Sequence, residues 1–304
     1  MRQIVIAERV CLIAHILSKA FGLAGMLLVL PHPEIILKLS QVGETAIGLS
    51  MASGGVVDII FGTVAVSIYA YRTLGLGTWL AFMLPAMFVS LGSELLGTST
   101  GFPFGDYGYL SGLGYKIGGL VPFTIPLSWF YVGLSSYLIA RCGLQVAQKP
   151  SLGRHIAAIG VGALLFTCWD FALEPAMSQS SLPFWYWEQP GEFFGTPYQN
   201  YAGWFGTSAV FMSIAGLLWR KTSIKLERSQ LNLPLAIYLS NFAFAAGLSL
   251  AGGFFIPVLL GSVLGVVPAV TLWSRSSTTP TQIGIEPLPQ EASAASASVK
   301  VVLK

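Results

Sequence analysis

Apolar runs of about 20 residues recur from one end of the chain to the other, each long enough to cross a bilayer as a helix. They lie at Ile4 to Leu30, Ala46 to Tyr71, Leu76 to Leu96, Val121 to Ala140, Ile156 to Met177, Trp204 to Trp219, Leu233 to Leu250 and Gly252 to Trp273. The pattern predicts an all-α, polytopic membrane helix bundle. Its helices number eight, or seven if the last two runs, parted only by Leu250-Ala251-Gly252-Gly253, do not form a tight hairpin. Pro31-His32-Pro33 breaks the first run, because proline removes a donor and restricts the residue before it. That run carries Glu8, Arg9, His15 and Lys19, unlike the short uncharged core of a secretory signal, and is expected to stay attached.

Composition removes the soluble alternative. Of 304 residues 54% are hydrophobic and 10% charged, with mean hydropathy +0.71, against roughly 25% charged in a soluble domain. One membrane unit, residues 1–273, is expected, followed by a Ser, Thr, Ala and Pro-rich tail, 274–304, read as disordered. The net charge of +3 forms no basic stripe, so nucleic acid is not an expected partner. Cys11, Cys142 and Cys168 have neither disulfide nor zinc spacing and read as packing residues.

Charge position sets the orientation. With the N-terminus cytoplasmic, Arg2, Arg72, Arg141, Lys149, Arg154, the run Arg220 to Arg228 and Arg275 all fall inside, leaving Lys38 and Lys116 outside. An eight-helix chain then has both termini cytoplasmic, in a plasma or thylakoid membrane. Two long connections, Gly97 to Leu120 and Ser178 to Gly203, share the opposite face. The stretch Phe184 to Phe205 places ten aromatic side chains in 22 positions. An interfacial aromatic belt would explain the tryptophans and tyrosines. Their interleaving with Glu188, Gln189, Glu192 and Asn200 points instead to a lid over a pocket, since irregular backbone at membrane depth must be buried in protein or line a cavity.

The acids carry the candidate chemistry. Glu94, Asp106, Asp170, Glu174, Glu188 and Glu192 gather at this face, and Asp58 lies mid-helix, where a charge costs about 2.5–3.5 kcal/mol on insertion scales and should face the interior. Asp170 and Glu174, four apart, share a helical face. Either each pairs with Lys116 or a backbone amide, or the two compete for ionisation and one stays protonated near neutral pH as a general acid. Glu94 and Thr98 lie on one helical face and together suit a water. The three histidines are too scattered for a histidine-cluster di-iron site, and neither GxGxxG after a strand, a P-loop nor a GxSxG elbow occurs. No late helix carries the interior lysine that a retinal Schiff base needs. What remains is cofactor-free, metal-free chemistry by acids, water and aromatics on a bilayer-soluble substrate, and protonation of an alkene fits.

SELLGTSTGFPFGDYGYLSGLGYKIGGLVPFTIPLSWF, WDFALEPAMS and WYWEQPGEFFGTPYQNYAGWFG together resemble the CruF-type carotenoid hydratase family, over about Gly92 to Phe211. The cyanobacterial branch, acting in myxol glycoside synthesis, is the nearer likeness, ahead of the haloarchaeal bacterioruberin branch. The resemblance implies addition of water across the C1,C2 double bond of an acyclic ψ-end group, as in γ-carotene or lycopene, to give a tertiary alcohol. A lipid-soluble carotene and water are the implied partners, with hand-over of the alcohol to a carotenoid glycosyltransferase. In the mechanism this suggests, the Asp170/Glu174 pair is the acid and Glu94 or Asp106 the base. Tyr107, Tyr109 and Asn200 orient water, and Trp169, Trp185, Trp187 or Trp204 stabilises the cation. Asp58, Thr98, Lys116, Glu188 and Glu192 complete the expected substrate and water surface. A non-catalytic carotenoid or lipid carrier and a proton-coupled transporter are the competing readings.

Overall fold

The computed structural model describes residues 2–36, 38–180 and 182–277; the expected tail beyond 277 lies outside them. Eight long helical runs stand among the described residues, at the positions of the eight apolar segments. The first is α1 (Arg2–Ala24), continued by a π turn, Gly25–Val29, and stopped at Leu30-Pro31. A single turn, α2 (Pro33–Ile36), leads to α3 (Gln41–Leu74), whose first turn is capped by Ser40 Oγ accepting from Gly43 N at 3.4 Å. Gly75, at φ 81°, reverses the chain into α4 (Leu76–Thr100), and Gly101, left-handed at φ 76°, ends it.

Then come α5 (Thr124–Gly143), α6 (Leu152–Ser178), α7 (Tyr198–Leu218) and α8 (Asn232–Ala251). A final run of α9 (Phe255–Gly261), a π turn and α10 (Val267–Arg275) forms a hairpin with α8 through Gly252 and Gly253. Seven of these runs are long and apolar enough to cross a membrane on length and composition. The eighth, α5, has comparable length but carries Trp129, Tyr131, Ser135, Ser136, Tyr137 and Arg141, which lower its hydropathy. It tolerates them because it is the central post: α3, α4, α6, α8 and α10 all pack on it, and Phe130, Val132, Leu134, Leu138 and Ile139 are fully buried. Arg141 is satisfied there by Tyr137 Oη at 3.1 Å and by the ring face of Trp219.

Helix α1 stands at the side against α3 and α8. Arg72 on α3 clamps it through two parallel bonds to Glu8, Nε to Oε2 at 2.9 Å and Nη2 to Oε1 at 3.0 Å. At the other end of the bundle the two long connections pair with each other. In the first, β1 (Tyr107–Tyr109) is followed by a small hairpin of β2 (Lys116–Ile117) and β3 (Val121–Pro122), turning at Gly118 and Gly119, both at positive φ. In the second, β4 (Trp185–Trp187) runs antiparallel to β1 with Tyr107 opposite Trp187 and Tyr109 opposite Trp185. The backbone N–H groups of Leu110 and Glu188 extend the pairing to Phe184 O and Asp106 O, at 2.8 and 2.9 Å. The two connections therefore form one cover over the helix ends. The second is shorter than the hydropathy suggests, because α7 begins at Tyr198 and puts Asn200 on a helix.

Candidate active site

Beneath this cover a cavity of about 780 Å³ extends between α1, α3, α5 and α6. That is within the range of small-molecule sites. Its wall is mainly apolar, and two carboxyl groups at one end break it: Glu94 from α4 and Glu174 from α6, both buried.

Three N–H or O–H donors converge on each of them. Glu94 accepts from the hydroxyls of Tyr107 and, at 2.8 Å, Tyr109, both to Oε2, and from Trp129 Nε1 to Oε1 at 3.1 Å. Glu174 Oε2 accepts from the indoles of Trp185 at 2.9 Å and Trp187 at 3.3 Å, and its Oε1 accepts from Asn200 Nδ2 at 3.2 Å. The strand pairing is what makes this possible, since alternate residues of a strand share a face. Tyr107 and Tyr109 thus point together to Glu94, and Trp185 and Trp187 to Glu174. Burial, and then the charge of Glu94, push both phenols well above their ordinary pKa, so they stay protonated and donate.

Asp170 lies one helical turn behind Glu174, fully buried. Its Oδ2 accepts from the same Asn200 amide at 3.1 Å, while Oδ1 is without a hydrogen-bond partner among the described residues. One amide thus bridges two carboxyls. The indole rings around them form a continuous set: Trp129 stacks on Trp204 at 4.4 Å, and Trp169 meets Trp204 edge-on at 6.0 Å. Trp169 Nε1 is likewise buried with no hydrogen-bond partner among the described residues.

Of the residues singled out from sequence, the structure gathers Glu94, Glu174, Tyr107, Tyr109, Trp169, Trp185, Trp187, Asn200 and Trp204 on one end of the cavity wall, and Asp58 on the same wall further along. Others stand apart. Asp106, Glu188 and Glu192 are exposed, and the first two join the cover through their backbone, the Glu188 N–H donating to Asp106 O. Thr98 spends its hydroxyl on the Glu94 and Leu95 carbonyls, at 2.8 and 3.3 Å, and so does not meet the Glu94 carboxyl. Lys116 donates to Tyr109 O at 2.5 Å and braces β1 from outside rather than pairing with Asp170 or Glu174.

Four residues that sequence reasoning passed over also belong here. Trp129 is the third donor to Glu94. Its only sequence signal is a tryptophan in the middle of an apolar run. Around Asp58 stand His15 and Lys19 from α1 and Asn241 from α8. Among the described residues, no three His, Cys, Asp or Glu side chains converge so as to hold a metal ion.

A membrane helix bundle with a lidded, carboxyl-bearing apolar cavity is the class of protein that this fold and site define. The chain belongs to the carotenoid biosynthesis protein family, whose model matches residues 54–268. A curated relative, the bisanhydrobacterioruberin hydratase of Haloarcula japonica, is 28% identical to it over 185 residues. That alignment spans 61% of this chain and 60% of the relative's length. No solved structure matches.

Proposed function

We propose that the protein is a carotenoid hydratase that adds water across the C1,C2 double bond of an acyclic ψ-end group, of the γ-carotene or lycopene type, giving a tertiary alcohol. The observation that carries this reading is the placing of Glu94 and Glu174 on one wall of an apolar cavity, each with three donors and with indole rings between. The similarity to a relative named as a hydratase supports the reaction class.

In this reading the Asp170/Glu174 pair carries one proton, because two buried carboxyls sharing an amide repel each other when both are ionised. Glu174 faces the cavity and delivers that proton to carbon 2, leaving the positive charge on the dimethyl-substituted carbon 1. The faces of Trp129, Trp169 and Trp204 stabilise the cation, an attraction that reaches about 2 kcal/mol when desolvated. A water bonds to carbon 1 and gives its proton to Glu94, which Tyr107, Tyr109 and Trp129 hold in place. Protons gained by Glu94 and lost by the pair balance, so no redox partner is required. The loops lie on the non-cytoplasmic side, an orientation that the distribution of Lys and Arg supports.

The polyene enters from the bilayer. Phe21 and Leu28, on α1 and its π turn, and Leu49 and Val57, on α3, line the cavity and are exposed, which favours the seam between those helices as the route. Expression in a bacterium that accumulates lycopene or γ-carotene tests the reading. Pigment heavier by one water is the expected product, and carotene left unchanged by folded protein would contradict it.

A further inference from the structure

The proposed hydration leaves the site unbalanced after each turnover, because Glu94 holds a proton that the Asp170/Glu174 pair has lost. Both glutamates are buried, and both are bonded to side chains of the β1–β4 cover. A group that carries the proton back has to touch one carboxyl, lie beside the other, and both give and take a proton.

The cover places candidates between them. Alternate residues of a strand share a face, and residues directly opposite in an antiparallel pair share it too. Tyr107 and Tyr109 therefore stand on the same face as Trp187 and Trp185, which lie opposite them. The rings agree, with 5.3 Å between the centroids of Tyr107 and Trp187 and 6.1 Å between those of Tyr109 and Trp185. Glu94 and Glu174 are thus held by one face of one ribbon, each through its Oε2. Burial raises the pKa of both phenols most, then the charge of Glu94, and the charge of Glu174 also reaches them.

The other donors in this cluster serve only one direction. An indole or amide N–H donates and takes no proton in return, whereas a phenol oxygen donates one and accepts another. Of the two phenols Tyr107 is buried, while Tyr109 is half-buried and its carbonyl is tied to Lys116. Trp187, the neighbour of Tyr107, makes the longer of the two indole bonds to Glu174, 3.3 Å against 2.9 Å for Trp185. Because the Tyr107 hydroxyl is held well above its ordinary pKa, a free phenolate is disfavoured, and giving and taking a proton have to occur together.

We propose that Tyr107 is a relay that resets the site, passing its hydroxyl proton to Glu174 as it takes the proton held by Glu94. Protonated Glu94 and ionised Glu174 become ionised Glu94 and protonated Glu174, and Tyr107 ends unchanged. The inference rests on the proposed hydratase reading and gives a second task to a side chain that otherwise only holds Glu94.

Comparing one turnover with many tests it. Purified protein in lipid nanodiscs is given lycopene, first with protein in excess and then with lycopene in excess, and monohydroxylated pigment is followed. A resting site is already loaded, so a single turnover does not need the relay. Tyr107→Phe keeps the ring but loses one bond to Glu94, which should slow the single turnover by about tenfold. Its steady rate should fall by about 10³-fold, because every later turnover waits for the reset. Trp129→Phe also takes one donor from Glu94 but removes no relay, so its steady rate should fall no further than its single-turnover rate. If the two rates of Tyr107→Phe fall in the same proportion, the relay is overturned and the hydratase reading stands. No product from the parent protein in a single turnover would overturn both.

Discussion

Two carboxyls on one cavity wall give the most direct predictions at the scale of the residue. Glu174→Gln removes the proposed donor and Glu94→Gln the proposed acceptor, and each should lower turnover by about 10²- to 10⁴-fold with the protein still folded in the membrane. Asp106→Asn and Glu188→Gln alter exposed groups and should leave turnover near the parent level, as product analysis of the four variants side by side would show. Trp129→Phe keeps the ring and deletes the bond to Glu94, a loss of about tenfold in rate for one donor to a charged group. The acids and aromatics of this end were legible in the sequence, because polar groups in an apolar chain stand out. Their partners were not. Tyr107 stands 13 positions after Glu94, and Asn241 stands 226 after His15, and no local rule joins residues so placed. Lys116, one of the partners left open for the acid pair, instead bonds a carbonyl in its own loop, seven residues away.

The elements were more visible than their ends. All eight runs appear, since length and hydropathy report bilayer crossing regardless of tertiary contacts. The start of α7 was missed because Tyr198, Gln199 and Asn200 read as polar loop, although Gln199 Nε2 ties that first turn to Gly101 O at 3.2 Å. Close approach there explains a small residue. A Cβ at Gly203 would come within 2.6 Å of the Phe104 ring and 2.8 Å of Pro103 O, so Gly203→Ala should lower the thermal midpoint in detergent by several degrees and loosen the cover. Gly25 is the opposite case. Its surroundings are open and its backbone helical, so Gly25→Leu should leave the thermal midpoint unchanged yet fill part of the cavity it lines and weaken polyene binding. A matched fall in stability and binding would show that the residue serves helix packing instead.

At the scale of the whole molecule, the fold separates two tasks. The post α5 and its neighbours make a buried wall that carries Trp129 beside the acids, while α1 and α3 leave exposed residues along the cavity. The paired loops cap the polar end, and in the proposed reaction the carboxyls, amide and indoles beneath them handle a single water molecule. The central claim is that this enclosure adds water itself to an alkene. The most direct measurement supplies purified protein in nanodiscs with lycopene in ¹⁸O-labelled water, with no metal, nucleotide or reductant added, and weighs the pigment. The account predicts a monohydroxylated product whose oxygen carries the label, absent with Glu174→Gln. Product oxygen without the label, or no product from folded protein that binds lycopene, would contradict it.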